Sequence, residues 1–359
     1  MHVINVTMSS DQAGVDRRLP TLQDVARVAG VSRATVSRVI NNVRNVDPEI
    51  HRVVSEAVAA TGYVPNRAAR SLVTGRAGSI ALVVSEVESR AEDDPFMGRF
   101  LTDPFFGRVV GGLLSVLRDE GVNLALTLAG SDTTRNQLIS DLRQGRCDGA
   151  AVISLHPLDP LPGLLADAAL PVVLFGRSPQ SLSISHVDVN NARGGRMAAE
   201  HLYARGCRRP ATISGPLDQP AGIDRLEGFR AALATHGQAD VPSVEGDFSQ
   251  TGGERAMERL LTENPDLDGV FIASDLMAQG ALPVLRDYGR RIPDDVAVIG
   301  FDDSSAAVAS RPPLTTVRQP VEDMAAEMAR LLLANAGRGS QPRTTSVLFE
   351  PTLVVRESA

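Results

Sequence analysis

Two spacings of apolar residues divide this chain. From Thr21 they recur three and four positions apart, whereas from Ser79 short apolar runs alternate with amphipathic stretches. In the first part, LQDVARVA follows Thr21 with Asp24 three residues on, which reads as an N-cap with an acidic first turn. Gly30 ends that helix, because glycine accepts the positive φ of a helix stop. Ser32 then caps a second helix over residues 33–41, whose Val36, Val39 and Ile40 face the first. Arg33, Ala34, Ser37 and Arg38 fall on the opposite side, with a guanidinium at each end and short side chains between. A third helix spans residues 48–61, opened by Pro48 and closed at Gly62.

In the second part SIALVVS, VNLALTLA, GAAVISL and LPVVLFG read as buried strands, with FFGRVVGGLLSVLRDEG and TRNQLISDLRQG as helices between them. That order predicts a parallel, doubly wound sheet. The series restarts after Asp188 with three further strands (RPATISG, GVFIAS, VAVIGFDD) among amphipathic helices. At 359 residues the chain exceeds one ordinary core, so a small all-α headpiece joined to an α/β core of two doubly wound lobes is expected. Ligands of such sheets bind beyond the carboxyl ends of the strands. Arg177, Asp188, Ser274, Asp275 and Asp302 all sit at predicted strand ends. Each taken singly is equally well a turn or cap residue, and only the recurrence favours a cleft.

Charge sharpens this picture. Residues 21–76 carry eight arginines against four acids, a net of +4, while the remainder of the chain carries −11. A basic module on an acidic body suits a protein that holds a polyanion at one end. All 36 basic residues are arginine, which says little about mechanism. Cys147 and Cys207 have no partner spacing, so neither a disulfide framework nor a metal site is expected. No stretch approaches the roughly 18 apolar residues of a membrane span. Residues 1–20 lack a signal peptide's apolar core and read as a disordered arm, with Met8 an alternative start; the expected location is cytoplasmic. No nucleophile–base pair, metal cluster or phosphate loop is present, so no enzyme and no cofactor are expected.

AGVSRATVSRVIN followed by GYVPNRAARSL resembles the DNA-binding headpiece and hinge of the LacI/GalR family of bacterial repressors. Two motifs in the right order, at the right distance and at the right end carry that resemblance. It implies that Arg33, Ala34, Ser37 and Arg38 enter the major groove of double-stranded operator DNA, where arginine takes guanine N7 and O6. Thr21, Ser32, Thr35 and Asn41 then hold phosphates. It also implies a headpiece over 21–66 and a hinge over 67–77, with Asn66, Arg67, Ala69 and Leu72 against the minor groove and Leu72 wedged between base steps.

The body resembles the periplasmic-binding-protein-type core of the same family, which implies an effector site in the cleft. Arg225 in DRLEGF, Ser274-Asp275, Phe248 in EGDFS and Gln319 in TVRQP match the family's pocket positions, as do Phe105 and Phe106 in DPFF. Together with Arg177, Asp188 and Asp302 they form the expected effector site. Its charged groups suit a sugar or sugar derivative, without excluding a nucleobase. An insertion over 87–102, carrying an extra DPF triplet, departs from the family and is read as a solvated loop. In the family the chain crosses between lobes three times. The crossings are expected near Asp188, Ser304 and Leu333, giving lobes of 78–188 plus 304–333 and of 189–303 plus 334–359. No leucine heptad tail follows, so a homodimer is expected. The implied function is a repressor released from a near-palindromic operator by a small-molecule effector. The rivals are a co-repressed or phosphoprotein-assisted regulator and, further off, a solute-binding receptor.

Overall fold

A computed structural model describes residues 18–40, 46–64, 76–85, 102–154, 156, 158–335 and 344–359. The chain divides into two units, Met1–Gly75 and Arg76–Ala359.

The first unit contains α1 (Leu22–Ala29), α2 (Arg33–Ile40) and α3 (Pro48–Thr61). Local chemistry sets each end. The Asp24 carboxylate accepts from both the Thr21 N–H and the Thr21 hydroxyl, and these bonds hold its pKa down at about 2. Gly30 (φ 66°) and Gly62 (φ 63°) stop α1 and α3 in the left-handed region. Ser32 Oγ accepts from the Thr35 N–H, and Asp47 accepts from the Glu49 N–H. Val25, Val36, Val39, Val54 and Tyr63 bury a small core between the three helices.

The second unit holds two six-stranded sheets. The first lobe is built on β1 (Ser79–Ser85), β2 (Asn123–Ala129), β3 (Gly149–Ser154), β4 (Val172–Phe175), β5 (Ser185–Val189) and β11 (Ser346–Phe349). Their order is β11-β5-β4-β3-β1-β2, all parallel. The second lobe uses β6 (Pro210–Ser214), β7 (Ser243–Glu245), β8 (Gly269–Ile272), β9 (Ala297–Asp302), β10 (Thr315–Arg318) and β12 (Thr352–Val354). Here the order is β12-β10-β9-β8-β6-β7, with only β12 antiparallel. Helices α4 (Pro104–Leu117), α5 (Asp132–Arg143) and α6 (Leu161–Asp167) belong to the first sheet. Helices α7 (Asn191–Ala204), α8 (Pro220–Thr235), α9 (Gln250–Glu263), α10 (Asp275–Asp287) and α11 (Ser305–Ala309) belong to the second. Helix α12 (Val321–Asn335) returns to the first lobe, burying Val321, Met324, Met328 and Leu332 beside Leu82 and Leu113.

The expected crossing near Asp188 lies close to the junction of β5 and α7, but the other two are corrected. The chain stays in the second lobe past Ser304, through α11 and β10, and leaves it between Arg318 and Val321. It stays in the first lobe past Leu333, through β11, and crosses again between Phe349 and Thr352. The reason is strand pairing: Thr315–Arg318 aligns with Ile299–Asp302 in one sheet, and Ser346–Phe349 with His186–Val189 in the other. Neither four-residue strand announces its sheet by periodicity. In β10, Thr315 and Thr316 are fully buried polar residues, satisfied by the Ala359 carbonyl and by Asp275.

Candidate functional site

Helix α2 supplies the first candidate surface. Arg33, Ala34 and Arg38 are exposed, Ser37 is half-buried, and Val36 and Val39 are buried beneath them. The hydrophobic spacing buries Val36 and Val39 and leaves both arginines exposed to solvent. Ser32 and Thr35 lie at the helix start with their hydroxyls 2.9 Å apart, and the Thr21 hydroxyl already serves Asp24. Asn41, Asn66, Arg67, Ala69 and Leu72 lie outside the described residues, as do most of the expected hinge and residues 87–101 of the insertion.

The second candidate is a cavity of about 200 Å³ between the two lobes. Its position follows from a close helix contact. Helices α7 and α8 pack backbone to backbone: a Cβ on Gly228 would stand 1.9 Å from the Ala192 carbonyl oxygen, and one on Gly195 would stand 2.1 Å from the Arg225 oxygen. Only glycine permits that approach, and it brings Asn191 at the start of α7 against Arg225 on α8. The Arg225 guanidinium donates from Nε to Asn191 Oδ1 (2.9 Å), from Nη1 to the Ala273 carbonyl (2.6 Å) and from Nη2 to Gln319 Oε1 (3.2 Å). It lies 3.6 Å above the centre of the Phe301 ring. Burial pulls its pKa down, against the pull of the surrounding aspartates, but an arginine stays charged in a protein.

Eight of the ten residues expected at the effector site line this cavity. Phe105, Phe106 and Asp188 come from the first lobe, Arg225, Phe248, Ser274 and Asp302 from the second, and Gln319 from the crossing segment after β10. Phe105 and Phe106 meet edge to face at 5.3 Å, and Phe105 meets Phe175 likewise at 5.0 Å. Phe248 (φ 63°) and Asp302 (φ 114°) both occupy left-handed backbone, a strain retained where the surroundings enforce it. The Phe248 ring fits because Gly215 has no side chain; a Cβ there would come within 2.2 Å of it.

Two expected residues are elsewhere. Asp275 is fully buried behind the wall, accepting from the Thr316 hydroxyl (2.6 Å) and the Ser304 N–H (2.7 Å), so it is a structural anchor rather than a cavity group. Burial, with the Asp302 charge added, raises its pKa to about 8. Arg177 stands at the cavity's edge and is paired with both oxygens of Asp224 at 2.6 and 2.7 Å, a bond from one lobe to the other. Asp188 lies within β5 rather than after it, with burial raising its pKa against the N–H groups of Val189 and Arg177. Burial likewise lifts Asp302 to about 7, against the pull of Arg225.

Sequence reasoning missed Asn191, Gln219 and Phe175 on the cavity wall and reached Asp103 only as part of the DPFF motif. Asp103 was legible, since an Asp before Pro-Phe is a helix N-cap signal. The other three act through contacts distant in the chain. Arg108 was also missed: from α4 it donates to the carbonyls of Asp302 and Gln319 while paired with Glu322, tying the first lobe to the second. Among the described residues there is no candidate metal-binding cluster, and no helix is long and apolar enough to cross a membrane.

An exposed pair of arginines on a helix-turn-helix, carried on one chain with a two-lobed body enclosing a cavity of aromatic and charged side chains, is the build of a ligand-responsive DNA-binding regulator. The comparisons with known proteins agree. Residues 21–66 match the model described as bacterial regulatory proteins, lacI family, and residues 199–359 match the periplasmic binding protein-like domain. The chain is 44% identical over 348 residues to the HTH-type transcriptional regulator CelR of Thermobifida fusca, covering 95% of this chain and 99% of that one. It is 32% identical over 348 residues to the ribose operon repressor of Escherichia coli K12, covering 95% and 100%. Among solved structures, a CelR–cellobiose complex matches with a TM-score of 0.71 at 42% identity, covering 95% of this chain and all of that one. The lac repressor dimer bound to operator and an anti-inducer matches with a TM-score of 0.78 at 26% identity, covering 95% and 99%. The chain belongs to the LacI family of bacterial transcriptional regulators.

Proposed function

We propose that this protein is a homodimeric repressor that leaves a near-palindromic operator when a carbohydrate closes the cavity between its lobes. The observation that carries this reading is Arg225: a buried guanidinium held by Asn191, Ala273 and Gln319, on the wall of a cavity faced by Asp188, Asp302 and four phenylalanines. Planar aromatic faces suit the C–H faces of a sugar ring, and fixed acceptors and donors suit its hydroxyls. The cellobiose found with CelR makes a β-linked glucose disaccharide the first ligand to try.

In this scheme α2 lies in the major groove with Arg33 and Arg38 on base edges and Ser37 and Ala34 between them. Ser32, Thr35 and the helix start hold phosphate. The effector joins residues of both lobes, so it favours one lobe arrangement over another. A coupling of about 1–3 kcal/mol is enough to regulate operator occupancy.

The test is fluorescence anisotropy of the full chain on DNA from upstream of its own gene, with and without cellobiose, at fixed salt. Sequence-selective binding that weakens with sugar supports the proposal. Binding no tighter than to competitor DNA, with or without sugar, refutes the regulator reading. Tighter binding with sugar replaces induction by co-repression.

A further inference from the structure

The carboxylates around the cavity are not equivalent. Both oxygens of Asp188 are occupied, Oδ1 by the Val189 N–H and Asn191 Nδ2 and Oδ2 by the Arg177 N–H. Asp103 differs. Its Oδ1 caps α4 by accepting the Phe105 N–H at 2.9 Å, and no donor among the described residues reaches its Oδ2. Asp103 nevertheless lines the cavity, half-buried, and burial raises its pKa. From the opposite lobe Asp302 also lines the cavity and feels the Asp103 charge as repulsion.

The nearby cations offset the charge of Asp188 and Asp302 but not that of Asp103. Arg225 is the one guanidinium lining the cavity among the described residues, against three lining carboxylates. Arg225 donates to three protein acceptors and stands 4.0 Å from Asp302, so its charge is directed to Asp302 rather than to Asp103. Arg108 is paired with Glu322 and Arg177 with Asp224. The cavity therefore presents one open carboxylate acceptor, Asp103 Oδ2, in a partly desolvated space lined by three carboxyl groups and one guanidinium among the described residues.

We propose that Asp103, facing Asp302 across the cleft, is a charge-selecting residue of this site, admitting uncharged and amine-bearing carbohydrates and rejecting anionic ones such as sugar phosphates and uronates. The inference rests on the reading of the cavity as a carbohydrate effector site. A hydroxyl or ammonium beside Asp103 supplies the missing donor. A phosphate or carboxylate in the same place sets like charges together where water screens them poorly.

Three disaccharides of one linkage test this by calorimetry on the full chain: cellobiose, the β-1,4 dimer of glucosamine, and cellobiouronate. Cellobiose and the amine dimer are expected to bind, and cellobiouronate to bind at least about 30-fold more weakly than cellobiose. Asp103→Asn keeps a side-chain oxygen for the α4 cap and is expected to bring the three affinities within about 3-fold of one another. Urea unfolding of that variant beside the unaltered protein reports that its body is folded. Cellobiouronate binding to the unaltered protein as tightly as cellobiose overturns the charge rule and leaves the carbohydrate reading standing. Unaltered discrimination in Asp103→Asn removes Asp103 from the rule. Silence with all three sugars overturns both readings.

Discussion

Arg225→Met removes one charged group while keeping much of the apolar stem over Phe301. Three acceptors lose their donor: Asn191 Oδ1, the Ala273 carbonyl and Gln319 Oε1. A hydrogen bond to a charged group contributes about 1.5–3 kcal/mol. The two side-chain amides can turn to other partners, whereas the Ala273 carbonyl is fixed at the end of β8. The aspartates react as well. Arg225 holds the pKa of Asp302 and of Asp188 below what burial alone would set, so its loss raises both and they take up protons. Protonation caps the electrostatic penalty, and the net loss of body stability is expected at about 2–4 kcal/mol. Ligand affinity is expected to fall at least ~100-fold, about 2.8 kcal/mol. The first unit has its own core and does not depend on Arg225, so operator affinity is expected to persist. Operator anisotropy titrated with cellobiose, run beside urea unfolding of the same preparation, reads both effects. Release of operator at the unaltered protein's cellobiose concentration, with stability unchanged within ~0.5 kcal/mol, would refute the central place given to Arg225.

Arg38→Ala is expected to weaken operator binding by about 1–3 kcal/mol and non-specific DNA binding far less, read by anisotropy on specific and scrambled duplexes. Equal losses on both would make Arg38 a phosphate contact only. Gly228→Ala sets a methyl 1.9 Å from the Ala192 oxygen, and the forced separation of α7 and α8 is expected to cost at least ~2 kcal/mol in urea unfolding and to weaken ligand binding. Asp302 has its folded pKa lifted to about 7, so the folded state holds the extra proton and stability falls as pH rises from about 4 to 7. Its side chain retains 21% exposure, which softens the penalty, and Asp302→Asn is expected to stabilise the body by about 1–2 kcal/mol at pH 8 and by almost nothing near pH 4. A difference independent of pH would show that the Asp302 charge is not the source.

The headpiece was legible from the chain itself because its signals are short-range. Thr21, Gly30, Ser32, Pro48 and Gly62 act within a turn of their own position, and α1 and α3 span the residues that those caps announce. The early strands β1 to β4 were likewise visible as apolar runs bounded by turn residues. Much of the cavity wall was also in view, since strand-end position and the family pattern mark Arg225, Asp302 and Ser274 without any three-dimensional information. What the chain alone did not decide are matters of partnership between distant segments. Arg177 is equally an arginine at a strand end whether it faces a ligand or Asp224, and only the apposition of the lobes pairs it with Asp224. Asp275 is withdrawn from the cavity because Thr316, 41 residues away, comes to lie beside it when β10 joins β9. The same pairing moves a lobe crossing to Gln319, between Arg318 and Val321, and β11 moves another past Phe349. A four-residue strand carries too few positions for its own pattern to name a sheet, so its place is settled by the backbone donors and acceptors that the folded neighbours leave open.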